Sequence, residues 1–181
     1  MKRTSLAILV SLICASAPLF VAQASAQEMK STSPSMDQLN DFVGDGTCTG
    51  NTMAMGKTPG HATTAKYHGE KTLDGKWVVI HYDEDQTAAN PKPLHVVQYF
   101  TYNKNRYEAV ALFNDGSSAV GTSSGWKGDE LSVDERDPSG AGGVIFRDVF
   151  TRGANTDGHT GMMKDKSGKW VKTDEETCHK A

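Results

Sequence analysis

Two cysteines, Cys48 and Cys178, stand at the two ends of a ladder of short strand-like segments. A bridge between them makes the first and last strands neighbours, and a ladder whose ends meet is a closed barrel. The third cysteine, Cys14, falls in an N-terminal leader. Residues 1–26 open with Lys2 and Arg3, continue as an apolar run from Leu6 to Val21 and end in Ala24-Ser25-Ala26, the pattern of a cleaved secretory signal peptide. The expected mature chain starts at Gln27 and is periplasmic or secreted from a bacterial cell. An oxidising compartment favours a disulfide between the two remaining cysteines; a free or metal-binding thiol pair is the alternative.

Ile13 sits where a lipoprotein signal requires a small residue, so no lipid anchor is expected at Cys14. The apolar run of the leader is shorter than the roughly 18–20 residues of a membrane span, and no later segment resembles one. The whole chain has a formal charge of −3, and loss of Lys2 and Arg3 makes it more negative. With no basic run, neither nucleic acid nor an anionic membrane is an expected partner. The mature chain suffices for one domain with a real core and is too short for two.

Residues 27–35 read as a polar, mobile spacer, and residues 36–181 as a single domain. Met36–Phe42 carries Met36, Leu39 and Phe42 on one face behind Ser35 as N-cap, a short helix placed to plug one barrel end. From there, runs rich in β-branched and aromatic residues alternate with Gly, Asn and Asp. Ten strands are expected: Asp45–Ala54, His61–Leu73, Lys76–Asp83, Leu94–Tyr102, Arg106–Asn114, Ser117–Trp126, Glu130–Arg136, Val144–Arg152, Gly158–Lys164 and Lys169–His179. Asp74-Gly75 and Asp115-Gly116 suit tight hairpins. Such short connections force antiparallel neighbours, so the predicted fold is all-β, an up-and-down antiparallel ten-stranded barrel with a short N-terminal helix.

In the fifth expected strand Tyr107, Ala109, Ala111 and Phe113 share a face; in the sixth, Ala119, Gly121, Ser123 and Gly125 do. Pointed inward, these small residues leave a cavity; pointed outward, they leave Val120 and Trp126 to fill a solid core. Undetected bulges decide between the two.

The order of short motifs, Leu39-Asn40-Asp41-Phe42-Val43-Gly44-Asp45-Gly46-Thr47-Cys48, then Leu73-Asp74-Gly75-Lys76-Trp77, then Gly125-Trp126-Lys127-Gly128-Asp129-Glu130-Leu131, and at the end Trp170, Thr173, Glu176-Thr177 and Cys178, resembles that of the DUF1579-type proteins. These bacterial chains are similar to lipocalin-like, or calycin, barrels, and the resemblance covers about Leu39 to Cys178. It implies that fold and a plausible cavity, with no catalytic residues to carry over. A lipocalin-like opening has a tryptophan two residues after its glycine; here Gly46 stands there, so floor packing is expected elsewhere, with Trp170 the candidate. Binding of a small apolar or amphipathic molecule is implied by analogy between folds.

Enzyme signatures are missing from the sequence. Gly121-Thr122-Ser123-Ser124-Gly125 matches a nucleophile elbow, but the elbow needs a helix after it, and strand signals stand there instead. Asp83-Glu84-Asp85 lacks the glycine and glutamate of a calcium loop, having Ala88 and Leu94 in those places, and both it and Asp174-Glu175-Glu176 read as solvated edges.

The sequence supports two principal functional expectations. The first is a non-enzymatic barrel holding a small, largely apolar ligand, with Tyr99, Phe113, Trp126 and Phe146 as wall residues and His81 and Arg147 as polar contacts. The second is a copper-binding protein, in which Met53, Met55, His159 and Met162 converge at one rim as soft thioethers and an imidazole suited to Cu(I). An enzyme using the same cavity is a third, requiring titratable groups perturbed by their surroundings.

Overall fold

The computed structural model describes residues 34–139, 143, 145–154 and 156–181; the leader and the spacer up to residue 33 lie outside them. A 3-10 helix, Met36–Phe42, leads into ten strands: β1 (Gly44–Thr52), β2 (Ala62–Thr72), β3 (Trp77–Glu84), β4 (His95–Asn103), β5 (Arg106–Phe113), β6 (Ser118–Ser123), β7 (Glu130–Arg136), β8 (Phe146–Thr151), β9 (Thr156–Lys164) and β10 (Trp170–Lys180). Each strand pairs antiparallel with its sequence neighbours, and β1 pairs with β10, so the sheet is a closed up-and-down barrel. The ten expected strands are found, most with ends within one or two residues of those expected from the sequence.

The exception is β6, which stops at Ser123 instead of running to Trp126. Gly125 adopts φ +105°, a left-handed conformation that glycine tolerates, and the chain turns there. The turn swings Trp126 inward until it is 1% exposed. The G-x-S-x-G match is thus the end of a strand and a turn: Ser123 Oγ accepts the Gly125 N–H at 3.2 Å, and β7 comes next.

The helix closes one end of the barrel. An apolar residue every third position matches the three residues per turn of a 3-10 helix, so Met36, Leu39 and Phe42 fall on one row. Leu39 is fully buried against Val78, Phe100, Tyr107, Trp126 and Leu131, with Met36 and Phe42 packed on the same cluster. Phe42 stacks on Phe100 and Trp126 and meets Phe150 edge-on. The Ser35 side chain makes no capping bond. The Ser35 backbone is held instead by Tyr107 Oη, which accepts from Ser35 N at 3.1 Å and lies 2.8 Å from both Ser35 O and Gln38 Oε1. The last residues of the expected spacer, Pro34 and Ser35, are therefore seated on the barrel.

Trp126 supplies the floor for which Trp170 was the candidate, donating its indole N–H to Gln38 O at 3.2 Å. Trp170 lies near the other end and outside the barrel, where Arg147 and Lys164 cover its ring.

Cys48 and Cys178 face one another across β1 and β10 and are joined as a disulfide that spans 130 residues of sequence. The bridge closes nearly the whole domain into one covalent loop, which restricts the unfolded chain more than the folded one. Cys48→Ser should therefore lower unfolding free energy by about 2–5 kcal/mol while leaving the β-type circular dichroism of the native state in place. Urea titrations of the variant and of oxidised and reduced wild type check this: the variant should match the reduced protein.

Candidate functional site

The small-residue faces of β5 and β6 point inward: Tyr107, Ala109 and Ala111 are buried, as are Gly121 and Ser123. With the floor sealed by aromatic rings, the remaining lumen forms two abutting chambers. The outer holds about 200 Å³ and the inner about 80 Å³. Ile80, Tyr82, Phe150, His159 and Glu176 line both. Thr52, Glu84, Leu94 and Phe113 mark the mouth, where the outer chamber meets a broad surface depression that also includes His61, Asn90 and Lys92.

One side of the outer chamber is apolar, formed by Val96, Ala111, Phe113 and Phe146. The other carries an acidic band around one histidine. His159 Nε2 lies 3.0 Å from Asp148 Oδ1, and its Nδ1 lies 3.3 Å from Asp174 Oδ2. Burial opposes a charge on the ring, but the hydrogen bonds and fields of the two carboxylates override it and hold the imidazolium up to about 10. The same pairing, aided by the Thr173 hydroxyl, outweighs burial at Asp174 and keeps it below the usual carboxylate range.

Glu135, 2% exposed, behaves in the opposite way. Burial first, then the adjacent Asp148 carboxylate with which it shares a hydrogen bond, push it up to about 8, against the opposing pull of Gln98 and His159. Gln98 Nε2 donates towards Asp148 Oδ2 at 3.3 Å. Glu176 accepts from Thr63 Oγ1 at 2.8 Å and Tyr82 Oη at 2.5 Å through its Oε1. Burial and that carboxylate raise the Tyr82 phenol far above its ordinary value.

Two local devices put these acids inside. In β10, Lys172 opposes Met162 and Asp174 opposes Gly161, so Thr173 is an extra residue, a β-bulge. Before the bulge Trp170 and Lys172 lie on the outer face; after it Asp174, Glu176 and Cys178 lie on the inner one. The second device is a glycine on the neighbouring strand beside three of the acids. A Cβ at Gly161 would lie 2.2 Å from Asp174 Oδ1, one at Gly50 would lie 2.6 Å from Glu176 Cγ, and one at Gly121 would lie 3.2 Å from Glu135 Cγ.

The residues singled out from sequence divide between the two faces. Phe113 and Phe146 line the outer chamber, and Trp126 lines the inner one. His81, Tyr99 and Arg147 do not reach the lumen, because each alternates with an inward neighbour: Ile80 and Tyr82 beside His81, Gln98 beside Tyr99, Phe146 and Asp148 beside Arg147. Arg147 is paired on the exterior with Asp134 at 2.5 Å.

The rim of thioethers is not assembled. Met162 stands in register with Arg147 on the outer face, whereas His159 faces the lumen with both ring nitrogens engaged. Met53 and Met55 lie beyond the end of β1, where Met55 bridges Thr58 in a turn.

Asp174 and Glu176, read as solvated, are corrected to lumen residues, and the bulge at Thr173 is the reason. Of Asp83-Glu84-Asp85, Glu84 lines the mouth and accepts from Asn90 Nδ2 and Leu94 N, both at 2.8 Å. Sequence reasoning also missed Gln98, Glu135 and Asp148. The available signal was an acid on the apolar parity of its strand, Leu131-Val133-Glu135 in β7 and Phe146-Asp148-Phe150 in β8.

No family model and no curated protein matches the chain. Among solved structures, the crystal structure of Rv2717c from M. tuberculosis is similar, with a TM-score of 0.65 at 11% identity over 82% of this chain and 98% of that one. The likeness is one of fold: a barrel of the same kind, reached through a very different sequence.

The titration of this cluster gives a signed expectation. A native Glu135 that keeps its proton to about 8 binds more protons than the unfolded chain above about 4.5, so stability falls as pH rises through that window. His159 acts likewise between about 6.5 and 10. Each group contributes a slope of at most about 1.4 kcal/mol per pH unit. In urea titrations over pH 5–10, Glu135→Gln should flatten the lower window and leave the upper one. Gly161→Ala should displace Asp174 from His159, and the ring should then titrate lower in an NMR pH series.

Proposed function

We propose that the mature chain is an exported, non-enzymatic barrel of the DUF1579 type that binds a small amphipathic molecule in its lumen. One observation carries the reading: the lumen holds a space of about 200 Å³, open at the mouth, with an apolar wall on one side and hydrogen-bonding side chains on the other. This is the make-up of a small-molecule pocket, in which apolar surface supplies affinity and a few placed polar groups fix orientation. The apolar body of the ligand lies against Val96, Ala111, Phe113 and Phe146, and its polar end faces Tyr82, His159 and Glu176. The disulfide supports export to an oxidising compartment.

Native mass spectrometry of protein purified gently from the periplasm of its own host tests the reading directly. A stoichiometric organic adduct, lost on denaturation, is the expected result. In a second experiment, 2-naphthol fluorescence should rise on addition of the wild-type protein. Val96→Trp, which fills the outer chamber from its wall, should reduce that signal at least tenfold while leaving the far-UV spectrum unchanged. An adduct and a fluorescence rise that both persist in Val96→Trp would place binding elsewhere on the molecule.

A further inference from the structure

We infer that the ligand of this lumen is an organic ammonium, a protonated amine on an apolar or aromatic body, whose charged end sits where the two chambers meet. The inference rests on the reading of the barrel as a small-molecule binder and specifies the chemical class of what it binds.

The first support is the inventory of charge around the cavity. The outer chamber is lined by Glu84, Asp148, Asp174 and Glu176, and by Glu135 in its protonated form, against a single base, His159, and no lysine or arginine among the described residues lines it. The cations within reach of the two chambers already have their partners. His159 is held between Asp148 and Asp174. Arg152, in the wall of the inner chamber, pairs with Asp41 at 3.1 Å and Asp129 at 3.4 Å and covers the Trp126 ring. Lys180 pairs with Asp157 Oδ2 at 3.0 Å.

Two carboxylates are left short. Glu176 is only 9% exposed, lines both chambers, and receives its hydrogen bonds from neutral hydroxyls. No ion pair to it occurs among the described residues. Asp157 Oδ1, in the wall of the inner chamber, is buried without any hydrogen-bond partner among the described residues. A buried carboxylate oxygen without a donor is costly, and a ligand ammonium with three N–H donors supplies what both groups lack.

The second support is the lining of the inner chamber. Phe42, Tyr67 and Phe150 line it together with Ile80, beside Trp126, whose ring Arg152 covers. Aromatic faces attract an ammonium through their quadrupole, and more so once water is removed. A neutral ligand would strip water from Glu176 and return at most a hydrogen bond, with no charge to meet the carboxylate. An anionic one would add repulsion in a medium that screens poorly.

Three probes of one skeleton decide the question: 2-phenylethylamine, 2-phenylethanol and phenylacetate, titrated calorimetrically into the disulfide-bonded mature protein at pH 7. The amine should bind at least tenfold more tightly than the alcohol, and phenylacetate should not bind measurably. Glu176→Gln should weaken the amine at least tenfold and change the alcohol less than twofold. Asp157→Asn, a milder change, should weaken the amine in the same direction and serves if the first variant does not fold. Equal binding of amine and alcohol overturns the ammonium assignment and leaves the lumen reading standing, as does preference for phenylacetate. Failure of all three probes, together with no 2-naphthol signal, overturns both.

Discussion

A hairpin ladder of ten strands has two open edges, each with a row of N–H and C=O groups that need partners. Here β1 and β10 satisfy one another over Gly46–Thr52 and Asp174–Lys180, and the Cys48–Cys178 bond fixes that pairing covalently. The register of this seam governs everything inside. A slip of one residue would turn each β10 side chain to the opposite face. Glu176 and Asp174 would then point to solvent, Thr177 and Glu175 to the lumen, and the histidine of β9 would lose one of its two carboxylates. The disulfide therefore does more than restrain the unfolded chain: it specifies which alternation of β10 forms the wall of the cavity.

The two ends of the barrel answer different demands. At the floor, Leu39, Phe42, Phe100, Trp126 and Phe150 pack as a conventional apolar core, built from the 3-10 helix and strand ends. Towards the mouth one wall stays apolar, with Val96, Phe113 and Phe146, while the other turns polar, and glycines on β1, β6 and β9 lie against acids on their neighbours. One end is thus filled, and the other holds the cavity. The ionisable groups at the centre of the barrel thus rest on a hydrophobic base.

Much of this architecture was legible in the sequence, and the reasons are local. Gly and Asp turns, runs of alternating parity and the spacing of Met36, Leu39 and Phe42 report short-range preferences, so strand number, order and the helical plug could be read directly. The face of β5 and β6 was a two-way choice because parity alone carries no sign. The cavity acids were hidden for a sharper reason. Asp174-Glu175-Glu176 has the composition of a solvated edge, and only the bulge at Thr173, which depends on pairing with β9, turns two of the three inward. His81, Tyr99 and Arg147 were misplaced for the converse reason: an amphipathic side chain on a strand suits either face until the register is known. Trp126 was expected on a strand and became the floor because Gly125 ended that strand early.

The acidic band is not what barrel stability alone would select. Replacing buried ion pairs by apolar side chains of similar volume is often neutral or stabilising, by about 1–4 kcal/mol. Glu135 comes after Leu131 and Val133 on the inner face of β7, and Asp148 stands between Phe146 and Phe150 on β8, so apolar residues suit the same walls. Buried polar groups can instead specify a register. In this protein, however, the disulfide and the bulge already fix the seam, and the aromatic floor fixes the end of the barrel. Stability and register are both accounted for elsewhere, and the ammonium proposed for the lumen is what would give Asp148, Asp174 and Glu176 a complementary charge within the cavity they surround.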